Sequence, residues 1–131
     1  MTQPSKFIAN SDLSSTPSSL LGAKEVVLTT PASVNVSALT PVEYKQTITF
    51  GQDFDTINFS ISCDELPNIN AYNDYVEISN NAGINLWVSV EISGNNVSLV
   101  GVFGSIVGGT FSGSYTLRAI IVPIKSPFSQ S

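Results

Sequence analysis

The chain has 131 residues, ten Asp+Glu against five Lys+Arg, no His and one Cys. Only 11% of residues are charged, against about 25% in an ordinary soluble domain; 20 Ser, 10 Thr and 11 Asn supply the polarity instead. The length suits one domain with a core of its own, while the composition excludes histidine-based catalysis, histidine metal sites and pH switches, an internal disulfide or thiolate zinc site and, at a net charge of −5, the basic stripe that nucleic acid requires.

In chain order, Met1-Thr2-Gln3-Pro4-Ser5-Lys6-Phe7 lacks the apolar stretch of a secretory signal. No later apolar run approaches the roughly 20 residues of a membrane span. The expected setting is therefore a chain made inside a cell or already processed, with no membrane partner. Residues 1–23 form a Ser-rich zone broken by Pro4 and Pro17, with apolar knots only at Phe7-Ile8-Ala9 and Leu20-Leu21. Its composition fits a disordered tail. The paired apolar residues favour an arm that orders on a neighbouring subunit, anchored by Phe7, Ile8, Leu20 and Leu21.

From Lys24 the hydrophobic period becomes two. Val26 and Leu28, then Val34, Val36 and Ala38, then Val42, Tyr44, Ile48 and Phe50 alternate with polar residues. Ile57, Phe59, Ile61 and Cys63, and Val76 and Ile78, do the same. Each run places one face in a core and one in water, and most end at Gly, Pro, Asn or Asp. Cys63 shares the inward parity of Ile61, so it reads as a small core residue rather than a reactive thiol. Tyr44 reads as core, Tyr75 as outward.

A Gly-Asn turn at Ser93-Gly94-Asn95-Asn96 predicts a two-residue hairpin and fixes its register. Ile92 faces Val97, Val90 faces Leu99, Val88 faces Gly101 and Leu86 faces Phe103, all on one side. On the other, Glu91 meets Ser98, Ser89 meets Val100 and Trp87 meets Val102. A one-residue slip would scramble the apolar face. The outer side turns from polar to apolar away from the turn, at Val100, Val102 and Trp87. Gly101 to Gly113 reads as a flexible connection with apolar tips at Ile106, Val107 and Phe111; it lacks the Gly-Lys-Ser/Thr ending of a phosphate loop. The last strand, Tyr115 to Ile124, puts Leu117, Ala119 and Ile121 on one face and Ile120, Val122 and Ile124 on the other. Strands apolar on both faces are covered on both, either by the chain's own loops or N-terminal segment or by another subunit.

The resulting expectation is an all-β fold: an antiparallel β-sandwich or jelly roll of about eight strands over residues 24–126, an N-terminal arm (1–23) and a short tail (127–131). Asp53, Asp55, Asp64 and Glu65, with Asn68, Asn70, Asn73 and Asp74, are oxygen donors that suit Ca²⁺, but such residues are also ordinary turn formers. No spacing selects a glycosidase carboxylate pair, and no Gly-x-Ser-x-Gly elbow or activating His accompanies the serines. Ser–Lys chemistry with Lys24, Lys45 or Lys125 has no positive support. The three Asn-x-Ser matches at Asn35, Asn58 and Asn96 fall inside strands and read as chance. No enzyme activity, metal or cofactor is expected.

The segments Lys6-Phe7-Ile8-Ala9-Asn10-Ser11-Asp12, Leu86-Trp87-Val88-Ser89-Val90-Glu91-Ile92-Ser93-Gly94-Asn95-Asn96 and Tyr115-Thr116-Leu117-Arg118-Ala119-Ile120-Ile121-Val122-Pro123 resemble, in style across the chain, small virion proteins of tailed bacteriophages, the capsid decoration or cement proteins and short fibre components. The resemblance implies a β-rich homo-oligomer that clamps neighbouring capsid subunits in a virion assembled in the host cytoplasm. Scarce edge lysines agree with edges occupied by neighbours. Phe7, Ile8, Leu20, Leu21, Trp87, Val100, Val102, Ile120 and Val122 are the expected interface residues. The alternative is a carbohydrate- or receptor-binding module of a fibre or secreted protein, using Tyr72, Tyr75 and Trp87 as stacking platforms.

Overall fold

The computed structural model describes residues 22–65, 67–79 and 83–125, and the backbone of 7–10. Leu20, Leu21 and the tail 127–131 lie outside the described residues, as do the side chains of Phe7 and Ile8. The described residues form strands and no helix: β1 (Phe7–Asn10), β2 (Lys24–Thr29), β3 (Ser33–Val36), β4 (Val42–Thr49), β5 (Thr56–Cys63), β6 (Ile69–Ala71), β7 (Tyr75–Ser79), β8 (Asn85–Ser93), β9 (Asn96–Gly104), β10 (Gly109–Ser112) and β11 (Thr116–Ile124). All pairings are antiparallel.

Two larger sheets, ordered β1-β5-β11-β2 and β4-β9-β8-β7-β6, face each other as in a β-sandwich, and the pair β10-β3 joins them. The ribbon β2-β3-β4 runs nested against β9-β10-β11 and crosses from one sheet to the other at β3/β10. β6 to β9 form a plain meander. Pro123 sits in β11 beyond the stretch paired with β2, where among the described strands β5 alone adjoins it, an edge-like position of the kind that tolerates a missing N–H.

Strand parity builds the core. Leu117, Ala119, Ile121 and Ile61 of one sheet meet Leu86, Val88, Val97, Leu99 and Phe103 of the other, all fully buried. Gly101 lies between Leu28 of the facing sheet and Leu86 of its own, with 3.3 Å from a built Cβ to each, so a larger residue there would press on both. One end is braced by an edge-to-face ring chain: Tyr44 to Phe103 (5.8 Å), Phe103 to Phe111 (4.8 Å) and Phe111 to Tyr115 (5.5 Å).

Three strands exceed the expected eight. β6 and β10 are too short to show a period, and β1 lies within the expected arm, where it pairs with β5 of the same chain. The Gly101–Gly113 reading is corrected in part. Ile106 and Val107 are exposed tips, but Phe111 is fully buried because Gly109–Ser112 pairs with β3 and turns its ring onto Phe103.

Candidate functional site

The β8–β9 hairpin organises the surface. Its register matches the expected one pair for pair, from Ser93↔Asn96 to Asn85↔Gly104. Gly94 has φ +60 while Asn95 stays at negative φ, the pattern of a type II′ turn, whose twist suits a hairpin. At this end the outer face is polar and internally paired. Lys45 and Glu91 form an ion pair at 3.2 Å, Thr47 and Ser98 share a hydroxyl hydrogen bond at 2.7 Å, and Thr49 Oγ1 donates to Asn96 Oδ1 at 2.6 Å. Ile92 is an exception to the core reading: it lies so near the turn that it is 49% exposed.

Towards the other end the same face becomes apolar. Val100 is only 2% exposed; Lys45 and Ser89 flank it in register, so the Val100 side chain is not available as an interface residue. Val102 is half-buried beside Trp87. The Trp87 indole N–H donates to Glu77 Oε2 at 3.0 Å, and Asn70 Nδ2 donates to the other oxygen at 3.4 Å. The ring therefore lies across the sheet with its six-membered edge over Gly104. A Cβ at Gly104 would stand 2.7 Å from Trp87 Cζ3, so only glycine lets the ring settle there.

Trp87 and Gly104 form the floor of a groove of about 610 Å³. Its walls are Leu39 and Pro41 from the β3–β4 connection and Ile106 and Val107 from the β9–β10 connection. Leu39, Ile106 and Val107 are 79%, 80% and 76% exposed. The rim is tied together: Leu39 N donates to Ser105 O at 2.9 Å, Ser105 Oγ donates to Gly83 O at 3.1 Å, and the same oxygen accepts from Val107 N and Gly108 N at 3.2 and 3.0 Å. These aliphatic side chains thus stand on braced turns. Leu39 had no signal in the sequence, because it follows the alternating run Ser33 to Ala38 and belongs to no strand.

Ile120 and Val122 are brought together elsewhere. They lie on the outer face of the other sheet, across from Ser60 and Asn58, around a shallow hollow of about 110 Å³. Ile120 is 49% exposed. Trp87 and Ile120 therefore belong to two surfaces on opposite faces of the sandwich. Tyr72 on the β6–β7 connection and Tyr75 at the start of β7, both exposed, stack at 4.5 Å.

Several acidic residues have structural partners. Arg118 Nε donates to both oxygens of Asp64 at 3.0 Å and reaches Glu25 at 3.3 Å, and the Asp64 hydrogen bond raises the guanidinium's pKa further above its ordinary value. Glu65 Oε1 accepts from Thr116 N at 2.6 Å and from the Cys63 thiol at 3.5 Å. Burial, helped by the nearby Glu65 and Asp64 charges, pushes the Cys63 thiol up to about 12, so it stays protonated and is a poor nucleophile. Among the described residues no group of three or more His, Cys, Asp or Glu is placed to hold a metal ion, and no helix is long and apolar enough to cross a membrane. Comparison with protein-family models, curated proteins and solved structures found no match.

Proposed function

We propose that the protein is a non-enzymatic structural component of a virion, of the capsid decoration or cement type, that joins neighbours through apolar surfaces. The observation that carries this reading is the pair of apolar surfaces, exposed among the described residues, on opposite faces of one small sandwich: the Trp87 groove and the Ile120/Val122 strip. A domain with two such surfaces can touch two neighbours at once, which is what a linking protein must do. Large exposed aliphatic groups clustered on a braced rim mark contact sites better than isolated ones do. The scarcity of charge fits the same role, since charged residues are depleted at the centres of protein interfaces.

Co-sedimentation with capsids stripped of accessory proteins tests the reading. Saturable binding that Ile120→Asp removes supports it. Absence of binding at high micromolar concentration contradicts it. One observation favours a second reading, a carbohydrate-binding module: the exposed Tyr72–Tyr75 stack lies on the sheet that carries Trp87. A glycan array probed with the wild type and with Tyr72→Ala and Trp87→Ala separates the two.

A further inference from the structure

β4 borders the five-stranded sheet, and among the described residues no strand pairs with its outer side. Edge strands are commonly blunted by shortness, a bulge or a proline. β6, at the other edge of that sheet, has three residues, and β1 shifts register against β5. β4 has eight residues, no proline and an unbroken register with β9.

The direction of its backbone groups follows from the hairpin. Ser93 and Asn96 close the two-residue turn and bond to each other. Asn96 thus turns its amide and carbonyl toward β8, and Val97, Leu99, Gly101 and Phe103 turn theirs toward β4. Phe50 N donates to Asn95 O at 2.9 Å in the same phase. Ile48, Gln46, Tyr44 and Val42 therefore bond to β9, while Glu43, Lys45, Thr47 and Thr49 point their N–H and C=O groups away from the sheet. The Thr49 end is already occupied, since Lys24 Nζ donates to Thr49 O at 2.9 Å. The stretch around Glu43 and Lys45 is the part open to another strand.

Charge selects that strand. A two-fold axis normal to the sheet pairs two copies of β4 antiparallel, and residues with outward groups must then face each other. An axis at Glu43 or at Lys45 sets like charges opposite, which is unfavourable. An axis at Gln46 sets Glu43 against Thr49, whose carbonyl Lys24 holds. An axis at Tyr44 sets Glu43 of each copy against Lys45 of the other. Both are exposed on the outer face, where opposite charges stabilise a cross-strand pair. The same axis places the two Tyr44 residues opposite each other as a non-hydrogen-bonded pair, where side chains come closest. Tyr44 is half-buried with its ring edge-on to Phe103, and an aromatic pair across the strands adds to the contact. Lys45 is a device against stray pairing, but a strand with an acid at this place answers it, and β4 is such a strand.

We infer that β4 is a self-pairing edge. A second copy of this chain joins its β4 antiparallel about Tyr44, with Glu43 of each copy opposite Lys45 of the other, and the two five-stranded sheets continue as one. The inference rests on the sheet edge and goes beyond the proposed capsid role, which uses the two apolar faces.

Sedimentation equilibrium of the full chain from low to high micromolar concentration tests it, with amide hydrogen exchange followed residue by residue over the same range. The wild type is expected to dimerise, and the Glu43 and Lys45 amides are expected to exchange more slowly as the dimer forms. Glu43→Lys and Lys45→Glu, both at exposed positions, are each expected to weaken the dimer at least about ten-fold, because two cross-strand pairs turn from attractive to repulsive. The double variant Glu43→Lys with Lys45→Glu restores opposite charges at both pairs and is expected to regain the dimer. A wild type that stays monomeric at high micromolar concentration overturns the inference. So does a dimer whose Glu43 and Lys45 amides exchange as fast as in the monomer, which gives the contact to another surface, or a double variant no tighter than the single ones. Capsid co-sedimentation is read separately. A dimer of this kind with no capsid binding upholds the inference and removes the proposed function, and capsid binding by a monomeric wild type does the reverse.

Discussion

The two ends of the β8–β9 ribbon share strands, sheet and register but finish their outer faces in opposite ways. At the turn end every polar pair closes within the domain: Lys45 with Glu91, Thr47 with Ser98, Thr49 with Asn96. At the far end Trp87 is laid over Gly104, and Leu39, Ile106 and Val107 stand exposed around it among the described residues. Among the described residues one end closes its polar groups on one another and the other leaves apolar side chains exposed. The outer face thus changes character along one pair of strands, from paired polar groups to exposed apolar ones, and the capsid contact proposed for this face falls at the apolar end.

The largest expected effect tests whether the apolar end is braced from beneath. Phe103 is the middle of the ring chain Tyr44–Phe103–Phe111–Tyr115, and Phe103→Ala is expected to cost about 3–5 kcal/mol in urea unfolding. Less than about 1 kcal/mol would mean that the rings do not form one support. Next comes the seat of Trp87. Gly104→Ala puts a Cβ 2.7 Å from the ring; it is expected to cost about 1–3 kcal/mol and to shift the indole fluorescence, because the ring must leave the sheet. An unchanged emission spectrum would show that the ring is not seated on Gly104.

The interior next to that end can also be probed by pH. The folded chain keeps the Cys63 thiol protonated up to about 12, whereas an unfolded thiol loses its proton near about 8.5. Below the unfolded value both states hold the proton and pH has no effect through this group. Above it only the unfolded chain releases the proton, so stability falls by up to about 1.4 kcal/mol per pH unit, until the folded thiol also ionises. Unfolding measured at about pH 8 and about pH 10 is expected to show this loss, and Cys63→Ala is expected to reduce it. The smallest effect belongs to the polar end. Lys45→Ala breaks an ion pair whose two side chains are 42% and 55% exposed, and such pairs contribute at most about 1 kcal/mol. A larger loss would mean that the turn end depends on its surface charges more than its exposure implies.

The hairpin was legible in the sequence because two independent signals agreed. The Gly94-Asn95 turn set the register, and the alternation on both strands allowed no slip. The all-β class followed from the same period in the other runs. The β3–β10 pair was not legible: Thr110-Phe111-Ser112 offers too short an alternation between glycines, and Phe111 finds its place only by contact with Phe103. The candidate site was half legible. Trp87 and Val102 stood out as apolar residues on an outer face. Val100 did not deserve the same reading, because neighbouring strands flank and cover it in a way that parity alone does not reveal. Leu39 was invisible, since its meaning lies in a backbone angle that its residue type argues against. The groove itself exists only where three connections meet, and no linear pattern records that meeting.

Ile92 and Ile106 give the most direct test. They are the same residue type, exposed at opposite ends of one ribbon, 49% and 80%. Co-sedimentation of Ile92→Asp and Ile106→Asp with stripped capsids, beside the wild type, separates the ends. Wild-type capsid binding that Ile92→Asp preserves and Ile106→Asp abolishes is the predicted result. Equal loss in both variants, or loss in Ile92→Asp alone, would contradict the division of the ribbon into a self-paired polar end and an apolar contact end.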